Sequence, residues 1–116
     1  MLTRNLPIGV FDSGVGGLTV AREIFRNLPD EKIIYFGDTA RVPYGNKSPE
    51  TIIRYSRQIS SFLISQGVKA IVIACNTASA LALEAVRDTV NVPMIGVVEP
   101  GANAAAAAAV AFWQLR

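Results

Sequence analysis

The sequence predicts an α/β fold in which helices cover a parallel β-sheet. Short apolar runs alternate along the chain with segments whose apolar residues recur at helical spacing, and glycine or proline lies at most of the junctions between them. The 116 residues are 51% hydrophobic, a length and composition that suit one domain with a buried core. We therefore expect a single α/β domain over residues 1–116.

The first half of the pattern contains two strands around a helix. Pro7–Phe11 is predicted to form a buried strand and Asp12–Gly17 a glycine-rich turn. Lys32–Phe36 is predicted to be the second strand, and the polar segment Gly37–Lys47 a loop. The intervening helix is predicted by apolar residues at helical spacing, namely Leu18, Ala21, Ile24, Phe25 and Leu28, and it stops before Pro29-Asp30.

The second predicted helix has recognisable start and stop signals. Ser48 supplies a capping hydroxyl and Pro49 suits the first helical position. The helix runs to about Gln66, and Gly67 fits the residue just past its end. Its inner face is predicted to carry Ile52, Ile59, Phe62 and Leu63.

Two further strands and another helix follow. Lys69–Ala74 is an unbroken apolar run, which is typical of a strand covered on both faces. A helix is predicted over about Ala78–Arg87 and a fourth strand over Val92–Val98. Residues 104–116 form an atypical alanine-rich tail, for which the plain prediction is a helix.

Composition excludes several classes of function. A formal net charge of +2 gives no electrostatic case for nucleic-acid binding. The absence of histidine removes every mechanism that pairs histidine with serine, cysteine or a metal, and a single cysteine excludes an internal disulfide and a cysteine-based zinc cluster. No apolar run reaches the roughly 20 residues that a membrane span needs. A lone thiol suits the cytoplasm, and no metal site is expected.

Small polar residues follow each predicted strand. Asp12-Ser13-Gly14, residues 37–46, Cys75-Asn76-Thr77 and Glu99-Pro100-Gly101 all fall at carboxyl ends. Ligands of open parallel sheets bind beyond that edge. This convergence predicts the location of a functional site.

The glycine-rich turn is not a dinucleotide fingerprint. The pattern G-x-G-x-x-G would need glycine where the chain has Thr19, and Asp12 would repel a pyrophosphate. The backbone N–H groups of the turn suit a small anion such as a carboxylate. Taken alone, the turn favours the simpler interpretation that Asp12 caps the following helix.

Cys75 lies directly before a predicted helix, where free N–H groups and the helix dipole favour a thiolate. Most free cysteines are small buried residues, and the residue alone leaves both interpretations open. Asn76 and Thr77 would cap the helix or face a ligand.

The loop after the second strand is also predicted to supply groups that bind a ligand. There the Tyr44 hydroxyl and the bare backbone of Gly45 suit an anionic ligand, although a proline-led turn with Tyr44 packed on the domain is the alternative. Asp38 is expected to solvate the loop, and the role of Glu99 is left open.

Three motifs resemble those of the bacterial glutamate racemases. Residues 9–20 (GVFDSGVGGLTV) are similar to the opening motif of that family, Asp38-Thr39 with Pro43-Tyr44-Gly45 to its second motif, and residues 74–78 (ACNTA) to its first catalytic-cysteine motif. They occur in order and at plausible spacings. The resemblance covers about residues 7–106.

The resemblance implies a cofactor-independent interconversion of L- and D-glutamate that supplies D-glutamate for peptidoglycan and hence for the cell wall and cell shape. It implies that Cys75 is one of two acid/base thiols and that Asp12 contacts the substrate and assists proton transfer. It further implies that the substrate is held by Ser13, Tyr44, Gly45, Asn76 and Thr77.

The resemblance also implies a flavodoxin-like half of a two-domain, pseudo-symmetric enzyme, because the family places its substrate between two similar halves and takes a second cysteine from the other half. With one cysteine and no histidine, this chain is expected to be a partial form with little racemase activity alone. An uncovered apolar face would favour self-association or a homo-oligomer. A racemase for aspartate or another acidic amino acid, and a non-catalytic module that binds small anions, are the alternatives.

Overall fold

The computed structural model describes residues 5–14, 17–27, 29–41 and 43–96. Within these ranges, strands and helices alternate along the chain as the sequence predicts. The strands are β1 (Ile8–Asp12), β2 (Ile33–Gly37), β3 (Ala70–Ile73) and β4 (Met94–Gly96). The helices are α1 (Gly17–Asn27), α2 (Pro49–Ser65) and α3 (Asn76–Arg87), with two single-turn 3-10 helices, Thr39–Arg41 and Tyr44–Asn46, between β2 and α2.

The four strands form one sheet in the order β2-β1-β3-β4, and every neighbouring pair is parallel. β1 therefore lies in the interior with β2 on one side and β3 on the other. This is the flavodoxin-like strand order, in which the chain first winds to one side of β1 and then to the other. The prediction of a parallel sheet flanked by helices is confirmed.

The two faces of the sheet bury separate apolar cores. On one face, Ile8 and Val10 of β1 pack with Ala21 and Ile24 of α1. On the other face, a larger core contains Phe11 of β1 and residues of α2 and α3, among them Ile52, Ile59, Leu63, Ala78, Ala82 and Val86. The continuous burial of β3 matches a strand covered on both sides.

The ends of α2 form as the sequence predicts. The Ser48 side chain accepts a hydrogen bond from the Thr51 backbone N–H at 3.2 Å, and Pro49 is the first helical residue. Gly67 follows the C-cap with φ of +81°, a left-handed conformation that glycine adopts without steric cost. Both predicted boundary signals are confirmed.

Two predicted core residues lie on the surface instead. Phe25 of α1 is 58% exposed and Phe62 of α2 is 46% exposed. The Phe62 ring lies 5.6 Å from the Phe36 ring of β2, centroid to centroid, so it covers the flank of that strand rather than the central core. Helical spacing assigned both residues to an apolar face, but the centre of the contact lies one position away, at Ile24 and Leu63.

Element boundaries differ from the predictions by one or two residues. β1 begins at Ile8 and includes Asp12, β2 begins at Ile33, and α3 begins at Asn76 rather than Ala78. The described part of β4 is Met94–Gly96. The predicted end of that strand at Val98, Glu99 and the alanine-rich tail lie outside the described residues, as do the side chains of Leu18 and Leu28. Among the described helices, none is long and apolar enough to cross a membrane.

Candidate active site

The carboxyl ends of three strands bring the predicted polar residues to one edge of the sheet. Asp12 is in register with Gly37 of β2, and its carbonyl accepts a hydrogen bond from the Asp38 backbone N–H at 3.0 Å. On the other side, the Ala74 N–H donates to the Phe11 carbonyl at 2.7 Å. The segments that carry Asp12, Asp38 and Cys75 are therefore adjacent.

Asp12 is fully buried and lies on the α1 face of the sheet. Its Oδ1 atom accepts two hydrogen bonds, from the Gly14 backbone N–H at 2.9 Å and from the Tyr35 hydroxyl at 2.7 Å. The first bond closes a turn two residues long, which fits the expectation of a tight turn at Asp12. The second comes from the neighbouring strand, so this one oxygen links the turn after β1 to β2.

Tyr35 shows the effect of this pairing in its own titration. Burial, the hydrogen bond to Asp12 and the charge of Asp12 together raise the pKa of Tyr35 to about 12, with burial as the largest cause. The folded state therefore retains the phenol proton more tightly than the unfolded chain does. The resulting contribution of Tyr35 to the unfolding free energy is fully present below pH 10 and is lost as the pH rises towards 12.

We expect Asp12→Asn to lower the pKa of Tyr35 towards 10 without reaching it, because the charge disappears while the burial remains. Alkaline titration of the phenolate absorbance, with Tyr35→Phe to identify the signal, measures the change. Asp30→Asn is the control, since Asp30 is exposed. Equal Tyr35 titrations in the Asp12 and Asp30 variants would contradict the pairing.

Gly14 holds the turn after β1 close to the first 3-10 helix. Its φ of +100° is a left-handed conformation that disfavours other side chains. A Cβ atom at Gly14 would lie 3.0 Å from the Cα of Thr39 and 2.8 Å from its methyl carbon. Ser13, the neighbouring predicted substrate contact, is 9% exposed. Close backbone approach therefore requires glycine at this corner of the site.

Cys75 occupies the N-cap position of α3. Its φ and ψ of −95° and 126° are extended, and its carbonyl accepts the first helical hydrogen bond from the Ser79 N–H at 2.9 Å. No side chain caps this helix end, so its first N–H groups have no side-chain partner from the cap residue. Asn76 and Thr77, predicted as possible caps, instead lie in the first turn, where Asn76 is exposed and Thr77 half-buried.

Tyr44 is buried, and its hydroxyl donates to Oδ2 of Asp38 at 2.5 Å. Burial, followed by the hydrogen bond and charge of Asp38, raises the pKa of Tyr44 well above its ordinary range. Gly45, next to it, is exposed, and a Cβ atom there would meet no other atom within 4 Å. The hydroxyl proton of Tyr44 is thus engaged within the protein, while Gly45 presents its backbone at the surface.

The expectation that Asp38 solvates the loop is wrong. Asp38 is 6% exposed, and its carboxylate binds Arg41 as well as Tyr44. The sequence shows an acidic residue after a strand. It does not show that Arg41 and Tyr44, three and six residues later, fold back and donate hydrogen bonds to that residue. A buried carboxylate in a protein is ordinarily paired in this way.

The predicted site residues divide into two groups in space. Cys75 and Tyr44 belong to the same buried cluster on the α2–α3 face, and Cys75 is 8% exposed. Asp12 enters from the α1 face at the end of the adjacent strand.

Tyr35 and Arg41 were not predicted as site residues. The partner of Tyr35 is set by the register of the sheet, and the partners of Arg41 are set by how the chain folds back along α2. In the described ranges, no cluster of three acidic, cysteine or histidine side chains suits a metal ion.

This arrangement combines a thiol at a helix N-terminus with a carboxylate held by fixed donors at the neighbouring strand end. Such a thiol accepts or donates a proton, and nearby backbone N–H groups stabilise negative charge. The fold and the site therefore define the class as an α/β domain with a thiol and a carboxylate at neighbouring strand ends, beside a helix N-terminus.

Comparison with known proteins identifies the family. The family model for Asp/Glu/Hydantoin racemase matches residues 8–113. The chain belongs to this family.

Relatives and solved structures agree with that assignment. The chain is 65% identical over 100 residues to the glutamate racemase of Geobacter metallireducens, covering 86% of this chain and 37% of the relative, and 59% identical over 98 residues to that of Synechocystis, covering 84% and 35%. The glutamate racemase of Thermus thermophilus in complex with β-chloro-D-alanine matches with a TM-score of 0.79 and 58% identity, over 84% of this chain and 38% of that one. The Francisella tularensis enzyme in complex with D-glutamate matches with a TM-score of 0.77 and 55% identity, over 83% and 36%. The chain therefore spans a little over a third of the length of these relatives.

Proposed function

We propose that this chain supplies one side of the active site of a glutamate racemase, an isomerase that interconverts L- and D-glutamate without a cofactor. The observation that carries the proposal is the position of Cys75, at the N-cap of α3 and beside the strand end that holds Asp12. The identity of 65% to a glutamate racemase over 100 residues supports glutamate as the substrate.

In the proposed reaction, Cys75 acts at one face of the substrate Cα atom. Its thiolate accepts the α-proton, or its thiol returns a proton to the planar carbanion in the reverse direction. Asp12 assists this transfer from the adjacent strand. Inversion needs a second group on the opposite face, and the 116 residues contain one cysteine and no histidine.

The substrate contacts are proposed to come from three segments at the carboxyl edge of the sheet. Ser13 and the backbone of Gly45 suit the carboxylates, and Asn76 and Thr77 in the first turn of α3 complete the set. Tyr44 contributes through its place in the wall beside Cys75, because its own proton is donated to Asp38. The carboxylates and the developing negative charge are stabilised by such fixed donors.

The cellular role proposed for the activity is the supply of D-glutamate for peptidoglycan, in the cytoplasm, where a single thiol remains reduced. The exposed side chains of Phe62 and Leu81, at 46% and 42%, give the α2–α3 side of the domain an apolar surface suited to self-association with a second copy.

Protection of Cys75 from alkylation tests the proposal. We expect L- or D-glutamate to slow the reaction of iodoacetamide with Cys75, because a bound substrate covers the thiol. A chain that carries Cys75→Ser and Ser65→Cys is the control, since Ser65 is exposed at the far end of α2 and its thiol should react equally with and without glutamate.

The ligand series also separates the alternatives. Protection by L-aspartate but not by glutamate would replace the proposed substrate with a shorter acidic amino acid. Protection by a nucleotide alone would indicate an anion-binding module, and protection by none of these ligands would contradict a substrate site at Cys75.

A further inference from the structure

Arg41 makes contacts in three directions at once, although the proposed reaction does not use it. Its Nε atom donates to Oδ2 and Oδ1 of Asp38 at 2.8 and 3.1 Å, and its Nη1 atom donates to Oε1 of Gln58 at 2.7 Å. The guanidinium carbon also lies 3.8 Å from the centroid of the Tyr55 ring. Arg41 therefore joins the connection between β2 and α2 to the middle of α2.

The carboxylate that Arg41 binds is the one that fixes Tyr44. Asp38 accepts from the Tyr44 hydroxyl and from Arg41 on the same Oδ2 atom. The Tyr44 ring in turn lies 5.8 Å from the Tyr55 ring, on which Arg41 stacks. Asp38, Arg41, Tyr44 and Tyr55 thus form a closed set of contacts, which we call the Arg41 clamp, with Gln58 as its outer partner.

The Arg41 clamp lies against the end of α3 that carries Cys75. Tyr44 and Cys75 are members of one buried cluster, 2% and 8% exposed. Both residues pack in this one core, on the face of the sheet covered by α2 and α3. Tyr44 is therefore part of the buried surroundings of Cys75.

We propose that Arg41 is a positioning residue of the site, which holds Asp38 and Tyr44 against α2 and so keeps the wall beside Cys75 closed. The proposal rests on the proposed function only for the identity of the substrate. Without the guanidinium, Asp38 retains a buried charge with Tyr44 as its side-chain donor, and the least costly response is for the connection to open and hydrate the carboxylate.

The chemistry of arginine is specific in this role. Lysine would reach Asp38 with a single ammonium group but would lack the planar stack on Tyr55 together with the bond to Gln58. Tyr55 takes part through its ring face, so phenylalanine should replace it without loss and leucine should not.

Alkylation of Cys75 by iodoacetamide in the absence of glutamate tests the clamp. We expect Arg41→Gln to speed the reaction roughly tenfold, because charge-assisted hydrogen bonds are lost. Tyr55→Leu should speed it by a smaller factor and Tyr55→Phe should react as the unchanged chain does. Arg57→Gln is the matched control, since Arg57 is an exposed arginine of α2 that directly precedes Gln58.

Denaturant unfolding of each variant separates local opening from general instability. The clamp predicts a gain in alkylation larger than the change in the global unfolding equilibrium accounts for. If Arg41→Gln does not fold, Gln58→Met, which keeps the pair with Asp38, carries the same test with an expected increase of about twofold.

Equal rates in the Arg41 and Arg57 variants, or a gain explained by global unfolding alone, would overturn the proposal. Its outcome is independent of the proposed function: faster alkylation of Arg41→Gln supports the clamp even if glutamate fails to protect the unchanged chain, and that second result would contradict the racemase site alone.

Discussion

Cys75→Ser is expected to abolish exchange of the glutamate α-proton with solvent while glutamate still binds. A serine hydroxyl is a far weaker acid than a thiol, so it is not ionised near neutral pH and accepts a carbon-bound proton poorly. Loss of the acid/base group should reduce the exchange rate about 100- to 10,000-fold. Proton NMR of glutamate in deuterated solvent measures the exchange, and calorimetry measures the binding.

Two further variants show whether the loss is chemical. Cys75→Ala should lose exchange to the same extent, because it also lacks an acid/base group. Ser65→Ala changes an exposed residue at the end of α2 and should leave exchange unaltered. An exchange rate in Cys75→Ser within tenfold of the unchanged chain would exclude Cys75 as the proton acceptor.

Lys69→Met is expected to cause the largest loss of stability. Lys69 Nζ lies 2.6 Å from Oε2 of Glu31, and their side chains are 6% and 2% exposed. Removing the cation leaves the carboxylate in a buried position, which typically costs about 3–5 kcal/mol. That is a large part of the roughly 5–15 kcal/mol that holds an ordinary domain together. Urea denaturation measures the change.

Two comparisons make this test specific. Lys32→Met removes an exposed lysine that follows Glu31 directly, just before β2. It should change the unfolding free energy by less than about 0.5 kcal/mol. The double variant Lys69→Met with Glu31→Met should recover part of the loss, because no unbalanced charge then remains. Equal losses in the Lys69 and Lys32 variants would contradict a stabilising role for the buried pair.

The buried pair and the candidate site lie at opposite ends of the sheet. Glu31 and Lys69 precede β2 and β3, whereas Asp12 and Cys75 lie at or just past the carboxyl ends of β1 and β3. We therefore expect charge to serve stability at one end of the sheet and, under the proposed function, chemistry at the other. The Lys69 variants should consequently lower stability without altering the Cys75 alkylation rate of the folded chain.

Local pattern was sufficient to predict the sheet and the helix ends. The alternation of apolar runs with helical spacing reflects which faces are buried, and the burial of Val72 on one face and Ile73 on the other bears this out. Ser48 and Gly67 are predictable because capping depends on the residue itself and its immediate neighbours.

Contacts between distant segments could not be predicted from the same pattern. Tyr35 reads as an ordinary strand residue, and its bond to Asp12 exists only because β1 and β2 are parallel and in that register. Arg41 and Gln58 are 17 residues apart and meet because the chain turns back along α2. Asp38 was misjudged for the same reason, since its burial depends on Arg41 and Tyr44 together.

The candidate site could be predicted as a location more readily than as a geometry. Polar residues after consecutive strands indicate the functional edge of a parallel sheet. The pattern did not indicate that Asp12 and Cys75 approach that edge from opposite faces, or that the Tyr44 proton is held by Asp38.

Deuterium labelling of each glutamate enantiomer by the pure 116-residue chain tests the central claim most directly. With one acid/base thiol, Cys75, the chain should place deuterium at Cα of one enantiomer and return it with its configuration retained. Chiral chromatography with mass spectrometry reads both properties in one sample. A labelled product of mixed configuration would contradict the account, because a second group within these residues would then be protonating the opposite face.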